Sequence, residues 1–302
     1  MAELHPGAKE YVDLVLASPM VWEVSLEEAR RGTDDETIPA WGEVDDVAHV
    51  EDRDVDGIRV RIYRPEAEAP LPALVFFHGG GWVVGTIESH DPLTRAIAAR
   101  TPAVVVSVDY RLAPEHPFPA AADDAWTATQ WVAANASELG ADPARLVVAG
   151  DSAGGNLAAV VALRAREAGL PLALQVLIYP VTDADLDSSG YVRLGEGLNL
   201  TRAKMEWYWE QYLGGRDGAH PHASPLRADN LAGVAPALVQ TAEYDALADE
   251  AAAYVRRLEA AGVPAKLTEY EGQIHGFVRL RTYCGEQADA AVDEIVDAIR
   301  AL

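Results

Sequence analysis

From residue 73 onward the chain alternates short, continuous apolar runs with longer segments of helix-forming composition. The runs are ALVFF (73–77), AVVVSV (103–108), RLVVAG (145–150), ALQVLIY (173–179) and ALVQTAEY (237–244), with the more polar KLTEYEG (266–272) last. Helix-forming segments lie near 90–100, 119–137, 153–168, 248–262 and 285–301. A strand that is apolar on both faces must be covered on both. The pattern therefore predicts an α/β fold, a mostly parallel sheet of about eight strands flanked by helices. Before this point the rhythm differs. In GIRVRIYRP (57–65), Ile58, Val60 and Ile62 face one way and Arg59, Arg61 and Arg64 mostly the other, the period of a half-buried antiparallel strand at a sheet edge.

Two segments stand outside the alternation. Residues 1–45 read as a helical arm. Tyr11, Val12, Leu14 and Val15 fall at helical spacing, and Ser25 with Glu28 forms a capping box for a short second helix predicted to end near Gly32. Residues 183–227 interrupt the core with a polar, Gly-rich stretch and then TRAKMEWYWEQYL, with Thr201 as N-cap and Gly214-Gly215 as stop. Met205, Trp209 and Tyr212 fall on one core-facing stripe. A polar segment feeding an aromatic helix is also how a lid is built. The chain thus divides into an arm (1–45), an α/β body (46–182 and 228–302) and an insertion (183–227). Arm and insertion together make a cap over the carboxyl ends of the strands, where open α/β sheets bind ligands.

Composition narrows the function classes. The chain has 302 residues, 49% of them hydrophobic, and a formal net charge of −24. Its sequence pI is about 4.6. Such a field repels phosphate backbones and anionic membranes, so neither nucleic acid nor a membrane is expected as a partner. Lys9, Lys204 and Lys266 are the only lysines, and the remaining basic residues are arginine. That bias matches a high-GC genome; a salt-adapted acidic surface is the alternative. Cys284 is the only cysteine, which leaves no internal disulfide and no Cys-based zinc site. The amino terminus lacks a basic region followed by an apolar core, and no apolar run approaches the ~20 residues that span a bilayer. These features point to the cytoplasm.

The candidate chemistry begins at Gly150-Asp151-Ser152-Ala153-Gly154, a Gly-x-Ser-x-Gly match between a strand and a helix. A strand can turn this sharply into a helix only if the flanking residues lack bulk, and the turn pushes the serine hydroxyl out above the helix start. An alcohol is a poor nucleophile alone and needs a base, an orienting acid and donors for a developing oxyanion. Donors are offered by His78-Gly79-Gly80-Gly81-Trp82, directly after the run 73–77. Gly80 and Gly81 come first as donors and Gly79 next, with the N–H of Ala153 completing the set. His78 reads as a structural residue that holds the loop by a hydrogen bond. The base is expected after the last strand, where His275 lies in the loop Gly272–Phe277; His5, His49, His90, His116, His220 and His222 are less favourably placed. The acid is expected off the preceding strand. Asp245 is the first carboxylate beyond it, Glu243 points sideways at the strand end, and Asp249 reads as an N-cap for the helix that follows. Trp82, Trp207, Tyr208 and Trp209 are candidate aromatic lining for a substrate.

Together HGGGW (78–82), VDYRLAPEHPFP (108–119), GDSAGG (150–155), EYDAL (243–247) and IHGF (274–277) resemble the hormone-sensitive-lipase branch of the α/β-hydrolases, specifically its bacterial and archaeal carboxylesterases. The likeness runs from about residue 45 to the end, with arm and insertion matching the family's cap in position. It implies Ser152 as nucleophile, Asp245 as acid, His275 as base, and the HGGG loop with Ala153 as oxyanion hole. It also implies a small-molecule ester as substrate, no metal or organic cofactor, and room for a homodimer through the last strand and terminal helix; the aromatic cap and the absence of a membrane-binding segment favour short or medium acyl chains. One departure is Asp245-Ala246-Leu247 where the family usually has Asp-Pro-Leu, which removes a φ constraint but keeps the carboxylate. Asp109, Tyr110 and Arg111 are read as a structural turn. Two alternatives stand beside the esterase. One is a non-catalytic small-molecule receptor on the same scaffold, a class that typically loses the base. The other is a related amide, carbamate or lactone hydrolase.

Overall fold

The computed structural model describes residues 2–302. Helices α1 (Pro6–Leu16) and α2 (Leu26–Trp41) precede the antiparallel pair β1 (His49–Val55) and β2 (Ile58–Arg64). There follow β3 (Leu71–Phe77), α3 (Ile87–Arg100), β4 (Val104–Asp109), α4 (Ala120–Ala134), the short α5 (Ala136–Leu139), β5 (Ala141–Asp151) and α6 (Ala153–Ala168). Next come β6 (Leu174–Ile178), α7 (Ser189–Leu194), α8 (Arg202–Leu213), β7 (Ala237–Tyr244), α9 (Ala248–Ala260), β8 (Ala265–Ile274) and α10 (Arg281–Arg300). The eight strands form one sheet in the order β1-β2-β4-β3-β5-β6-β7-β8. Only the β1–β2 and β2–β4 pairings are antiparallel.

The apolar runs form the middle of this sheet. Leu74, Val75, Phe76 and Phe77 of β3 are fully buried, as are Val147 and Val148 of β5 and Val176, Leu177 and Ile178 of β6. Burying one such side chain stabilises by roughly 1.5–3 kcal/mol relative to leaving it in water, so these strands anchor the fold. Ile58, Val60 and Ile62 of β2 are buried as the alternation requires. Arg59 and Arg61 on its other face pair with Asp52 of β1 and Glu88 of α3. β2 is not the edge strand, however: the more polar β1 takes that place and covers it.

Three local expectations change. The second helix does not end near Gly32 but runs on to Trp41 and stops at Gly42, whose φ is 86°. Gly32 costs a helix only about 1 kcal/mol, which the tertiary contacts of the continuing helix outweigh. Trp41 and Ala40 are buried, and the Thr282 hydroxyl donates to the carbonyl of Ala40 at 2.8 Å. Asp249 does not cap α9, which begins one residue earlier without a side-chain cap. Its carboxylate is turned instead toward α7, where the Ser189 hydroxyl (2.5 Å) and Arg193 (3.0 Å) donate to it. The sheet strand holding the serine motif is also longer than 145–150, because residues 141–144 extend it at its polar end. The caps at Ser25 and Thr201 and the left-handed stop at Gly214 form as expected.

Arm and insertion both pack on the body. Arg30 of α2 donates to the carbonyl of Val83 (2.9 Å) and pairs with Glu115 (2.7 Å). In α8, Met205, Trp209 and Tyr212 are buried. The Tyr212 ring stacks on Trp82 with centroids 4.1 Å apart and planes 7° off parallel. Asn156 of α6 donates to the carbonyls of Val181 (3.0 Å) and Ala223 (2.8 Å), tying both ends of the insertion to the body.

Two glycine substitutions should part in sign. A Cβ on Gly154 would sit 1.9 Å from the carbonyl oxygen of Phe77, whereas one on Gly32 meets nothing within 4 Å. Gly154→Ala should therefore lose about 3 kcal/mol or more, and Gly32→Ala should gain about 0.5–1 kcal/mol. Urea midpoints of the two variants check this; a Gly154→Ala protein as stable as the parent would contradict it.

Candidate active site

The site begins where β5 gives way to α6. Ser152, between them, has φ 55° and ψ −118°, outside the ordinary regions for an L residue. Three backbone hydrogen bonds hold it there. Its N–H donates to Ile178 (2.8 Å), and its carbonyl accepts from Asn156 (3.0 Å) and Val181 (3.2 Å). The turn is crowded: a Cβ on Gly150 would lie 2.3 Å from the carbonyl oxygen of Gly154, and one on Gly155 2.9 Å from Pro180. The glycines flanking the serine are thus demanded by contact.

Asp245 and His275 come from the carboxyl ends of β7 and β8, next to each other in the sheet. His275 Nδ1 lies 2.7 Å from Asp245 Oδ2, and Nε2 lies 2.9 Å from Ser152 Oγ. A carboxylate only accepts, so Nδ1 carries the proton and Nε2 is free to accept from the serine hydroxyl. Asp245 Oδ1 accepts from the N–H of Leu247 at 2.9 Å, which fixes the carboxylate. His275 has two further contacts, one to its backbone and one to its ring. Asn199 of the insertion donates to the His275 carbonyl at 2.7 Å, and the Tyr179 ring lies 4.7 Å from the imidazole. The rival carboxylates are engaged elsewhere. Glu243 accepts from Gly272 N–H (2.8 Å) and Ala2 N–H (2.7 Å), while Asp249 faces α7. A chain of carboxylate, imidazole and alcohol of this kind can pass the alcohol's proton to the ring as it attacks an electrophile.

The glycine loop lies beside it. Gly80 and Gly81 have φ of 118° and 58° and both line the cleft that holds Ser152 and His275. Among the described residues, the N–H groups of Gly80, Gly81 and Ala153 donate no hydrogen bond. Gly79 departs from expectation: its N–H donates to Asp151 Oδ1 at 2.8 Å, so it is spent on the scaffold and cannot serve an oxyanion. His78 has the structural role expected. Its Nδ1 contacts the Gly79 carbonyl (2.8 Å), its ring stacks on Tyr110 (4.2 Å), and the Tyr110 hydroxyl donates to its carbonyl (2.7 Å). Arg111 pairs with Asp124 at 2.6 Å, which holds the turn at 109–111.

The aromatic expectations divide. Tyr208 lines the cleft, and its ring lies 2.3 Å from where a Cβ on Gly81 would sit. Trp82 and Trp209 are core residues, 0% and 4% exposed, with ring centroids 4.6 Å apart. Trp207 packs on Val83, Val84 and Ala113. None of the three tryptophans lines the cleft, because the pairing of Trp82 with α8 draws the rings into the core. The cleft, about 120 Å³, is bordered instead by Tyr11, Thr33, Glu36 and Thr37 of the arm, Asn199, Leu200 and Lys204 of the insertion, and Arg279. Burial lowers the Lys204 ammonium below its ordinary range.

A cluster of buried charge behind the serine escapes the sequence reading. Asp151 lies 3.1 Å from His90 Nε2 and 3.2 Å from Arg279 Nε. These residues come from β5, α3 and the short 3₁₀ turn Phe277–Arg279, so no local pattern announces them. Burial pushes His78 down to about 3, and burial likewise lowers His90. The His78 ring is therefore neutral near pH 7.

Comparison with known proteins agrees with this geometry. A model of the alpha/beta hydrolase fold family matches residues 74–279. The chain is similar to carboxylesterase NlhH of Mycobacterium tuberculosis, at 44% identity over 81% of this chain and 79% of that protein. It is similar over 98% of both chains to an ethyl acetate hydrolase of Pseudomonas putida, at 38% identity. Among solved structures, the esterase of the archaeon Pyrobaculum calidifontis superposes with a TM-score of 0.90 at 39% identity, covering 99% of this chain and 98% of its own.

The buried histidines shape the acid response. An unfolded chain protonates them near pH 6.5, and the folded chain takes up a proton on His78 only near pH 3. Between those values the unfolded state binds more protons, so stability must fall as pH falls, by up to about 1.4 kcal/mol per pH unit from His78, with His90 acting in the same direction. Urea midpoints taken from pH 7.5 to 4 should decline below about pH 6.5; a midpoint that is flat from 6.5 to 4.5 would contradict the neutral assignment.

Proposed function

The chain belongs to the α/β-hydrolase fold family, in its hormone-sensitive-lipase-like branch of carboxylesterases, and from that premise we propose that it hydrolyses small carboxylic esters through an acyl-enzyme on Ser152. The observation that carries this reading is the His275 imidazole, held 2.7 Å from Asp245 and 2.9 Å from Ser152 in the wall of a cleft. Ser152 Oγ attacks the ester carbonyl as His275 Nε2 takes its proton. Asp245 keeps the ring in the required tautomer and stabilises the imidazolium. The N–H groups of Gly80, Gly81 and Ala153 receive the charge that develops on the carbonyl oxygen. The imidazolium then protonates the leaving alcohol, and a water molecule repeats the sequence to free the acid.

Residues 1–45 and 183–227 act as the cap. Tyr11, Thr33, Glu36 and Thr37 from one and Asn199, Lys204 and Tyr208 from the other border the cleft, which supports that assignment. The small volume favours short to medium acyl chains, and relatives named as an ethyl acetate hydrolase and an arylesterase fit that range. No helix among the described residues is long and apolar enough to cross a membrane. A homodimer through the outer edge of β8 fits the same reading, since β8 ends the sheet and Leu267 on it is 40% exposed.

Ser152→Ala should lower turnover of p-nitrophenyl acetate by about 10⁴-fold or more with the protein still folded; full activity in that variant would remove the nucleophile assignment. Asp245→Asn should cost more in kcat than Asp249→Asn, by about 10²-fold or more, because only the former loses control of the imidazole tautomer. Equal losses, or the reverse order, would transfer the acid role. Across p-nitrophenyl esters from C2 to C12, kcat/KM should peak at or below about C6 and fall for longer chains; a maximum at C12 would contradict the short-chain reading.

A further inference from the structure

We propose that Arg279 is a positioning residue whose charge cancels the field of Asp151, a carboxylate that must stay buried beside the oxyanion-binding loop in order to hold it. The inference rests on the esterase reading and concerns how that reaction reaches its rate. Asp151 is fully buried, directly precedes Ser152, and through Oδ1 accepts from the N–H of Gly79 at 2.8 Å. That bond fixes the loop whose next two amides face the cleft. It also leaves a negative charge one residue from the alcohol, where the tetrahedral intermediate gains a negative charge of its own. Two like charges in a site with little water repel strongly, so an uncompensated carboxylate here would raise the barrier.

Two side chains face this carboxylate, and Arg279 is the one that carries a permanent charge. His90 Nε2 lies 3.1 Å from Asp151 and 3.2 Å from the Gly79 nitrogen, and burial holds its ring below its ordinary range. Arg279 Nε lies 3.2 Å from Oδ2, on the short turn just beyond His275. Neither Arg279 Nε nor Asp151 Oδ2 makes a hydrogen bond there, so the contact is one of charge. Burial raises the Asp151 carboxyl, while the His90 ring, the guanidinium and the Gly79 N–H outweigh it and bring the group below the ordinary carboxylate range. Arg279 also lines the cleft, and its Nη1 is buried without a hydrogen-bond partner among the described residues. The cation therefore touches the loop's anchor and borders the cleft that holds Ser152 and His275. It joins the strand end carrying the serine, the loop carrying the donors and the turn carrying the base.

The test separates charge from shape. In Arg279→Gln the carboxylate is left uncompensated, and kcat for p-nitrophenyl butyrate should fall about 100-fold with KM within about twofold of wild type. In Asp151→Asn/Arg279→Gln the amide oxygen still accepts from Gly79 but neither charge remains. That double variant should recover to within about tenfold of wild type, and replacing both members of a buried pair is the change the fold tolerates best. A folded Arg279→Gln protein with wild-type kcat, or a double variant no faster than Arg279→Gln, would overturn the proposal. If Arg279→Gln does not fold, Arg279→Lys decides: kcat within about tenfold of wild type supports a role of charge, and a loss of about 100-fold in the folded protein defeats it. Wild-type turnover of the same ester and its loss in Ser152→Ala are measured alongside, so a failure of the esterase reading is distinguishable from a failure of this one.

Discussion

The backbone of Ser152, bent to a φ of 55°, is the constraint on which the surrounding structure depends. A residue in that region costs about 1–3 kcal/mol and persists only where its neighbours over-determine it. Here they do. Ile178 of β6 fixes its N–H, α6 begins immediately after it, and Gly154 lies so close to the carbonyl of Phe77 that no side chain fits between β3 and α6. Because β3 lies beside β5 in the sheet, the loop leaving β3 must pass the serine. Because β7 and β8 follow β6 in order, their ends deliver Asp245 and His275 from the other side. The geometry of the site is thus a property of strand order and one strained turn, and the loops need little further instruction.

Charge is handled with equal economy. The chain carries a net −24, yet the groups gathered at the strand ends are nearly balanced or neutral. Asp151 faces Arg279, and Glu36 of the arm borders the same cleft as Lys204. Glu250, fully enclosed near Asp245, has its carboxyl pushed by burial well above the ordinary range, while its Oε1 accepts from the N–H groups of Thr182 (2.6 Å) and Asp183 (3.2 Å). Through those two bonds Glu250 braces the segment that follows β6. The surplus of negative charge is left to the surface, where water screens it.

What could be read from the sequence follows the reach of each signal. Apolar runs specify buried strands because no other placement hides both faces, and that alone fixes the sheet. The serine turn was legible because sterics permit so few residues around it. Other features depend on partners far along the chain. Three consecutive glycines look alike in sequence, and only the approach of Asp151, 72 residues away, separates Gly79 from the two that face the cleft. An aromatic stripe is equally suited to a core or to a binding wall. Trp82, Trp207 and Trp209 went to packing and Tyr208 to the cleft because Trp82 stacks on Tyr212 and turns the helix accordingly. Helix α2 passed Gly32 because burial of Trp41 outweighs a local propensity. Arg279, His90 and Asp151 belong to three separate elements, and no periodicity joins them.

The loop after β3 shows how these influences meet. Its first glycine is held from below by the Asp151 carboxylate, and His78 before it is fixed by the Tyr110 ring and hydroxyl. At its far end Trp82, with φ 61°, is clamped between Trp209 and Tyr212 of α8. Between these two anchors only Gly80 and Gly81 remain, and the carbonyl of Gly80 accepts from Val83 (3.1 Å) and Val84 (2.9 Å), closing the turn. A Cβ on Gly80 would lie 2.1 Å from the Val84 oxygen, so the turn tolerates no side chain there. Two amides are consequently held in fixed directions while their own residues stay bare, which is the arrangement that preorganised anion binding requires. One anchor belongs to the body and the other to the insertion, so the packing of α8 and the aim of these amides are set by the same stack of rings. A displacement of that helix would reach these amides through Trp82 without touching Ser152, Asp245 or His275.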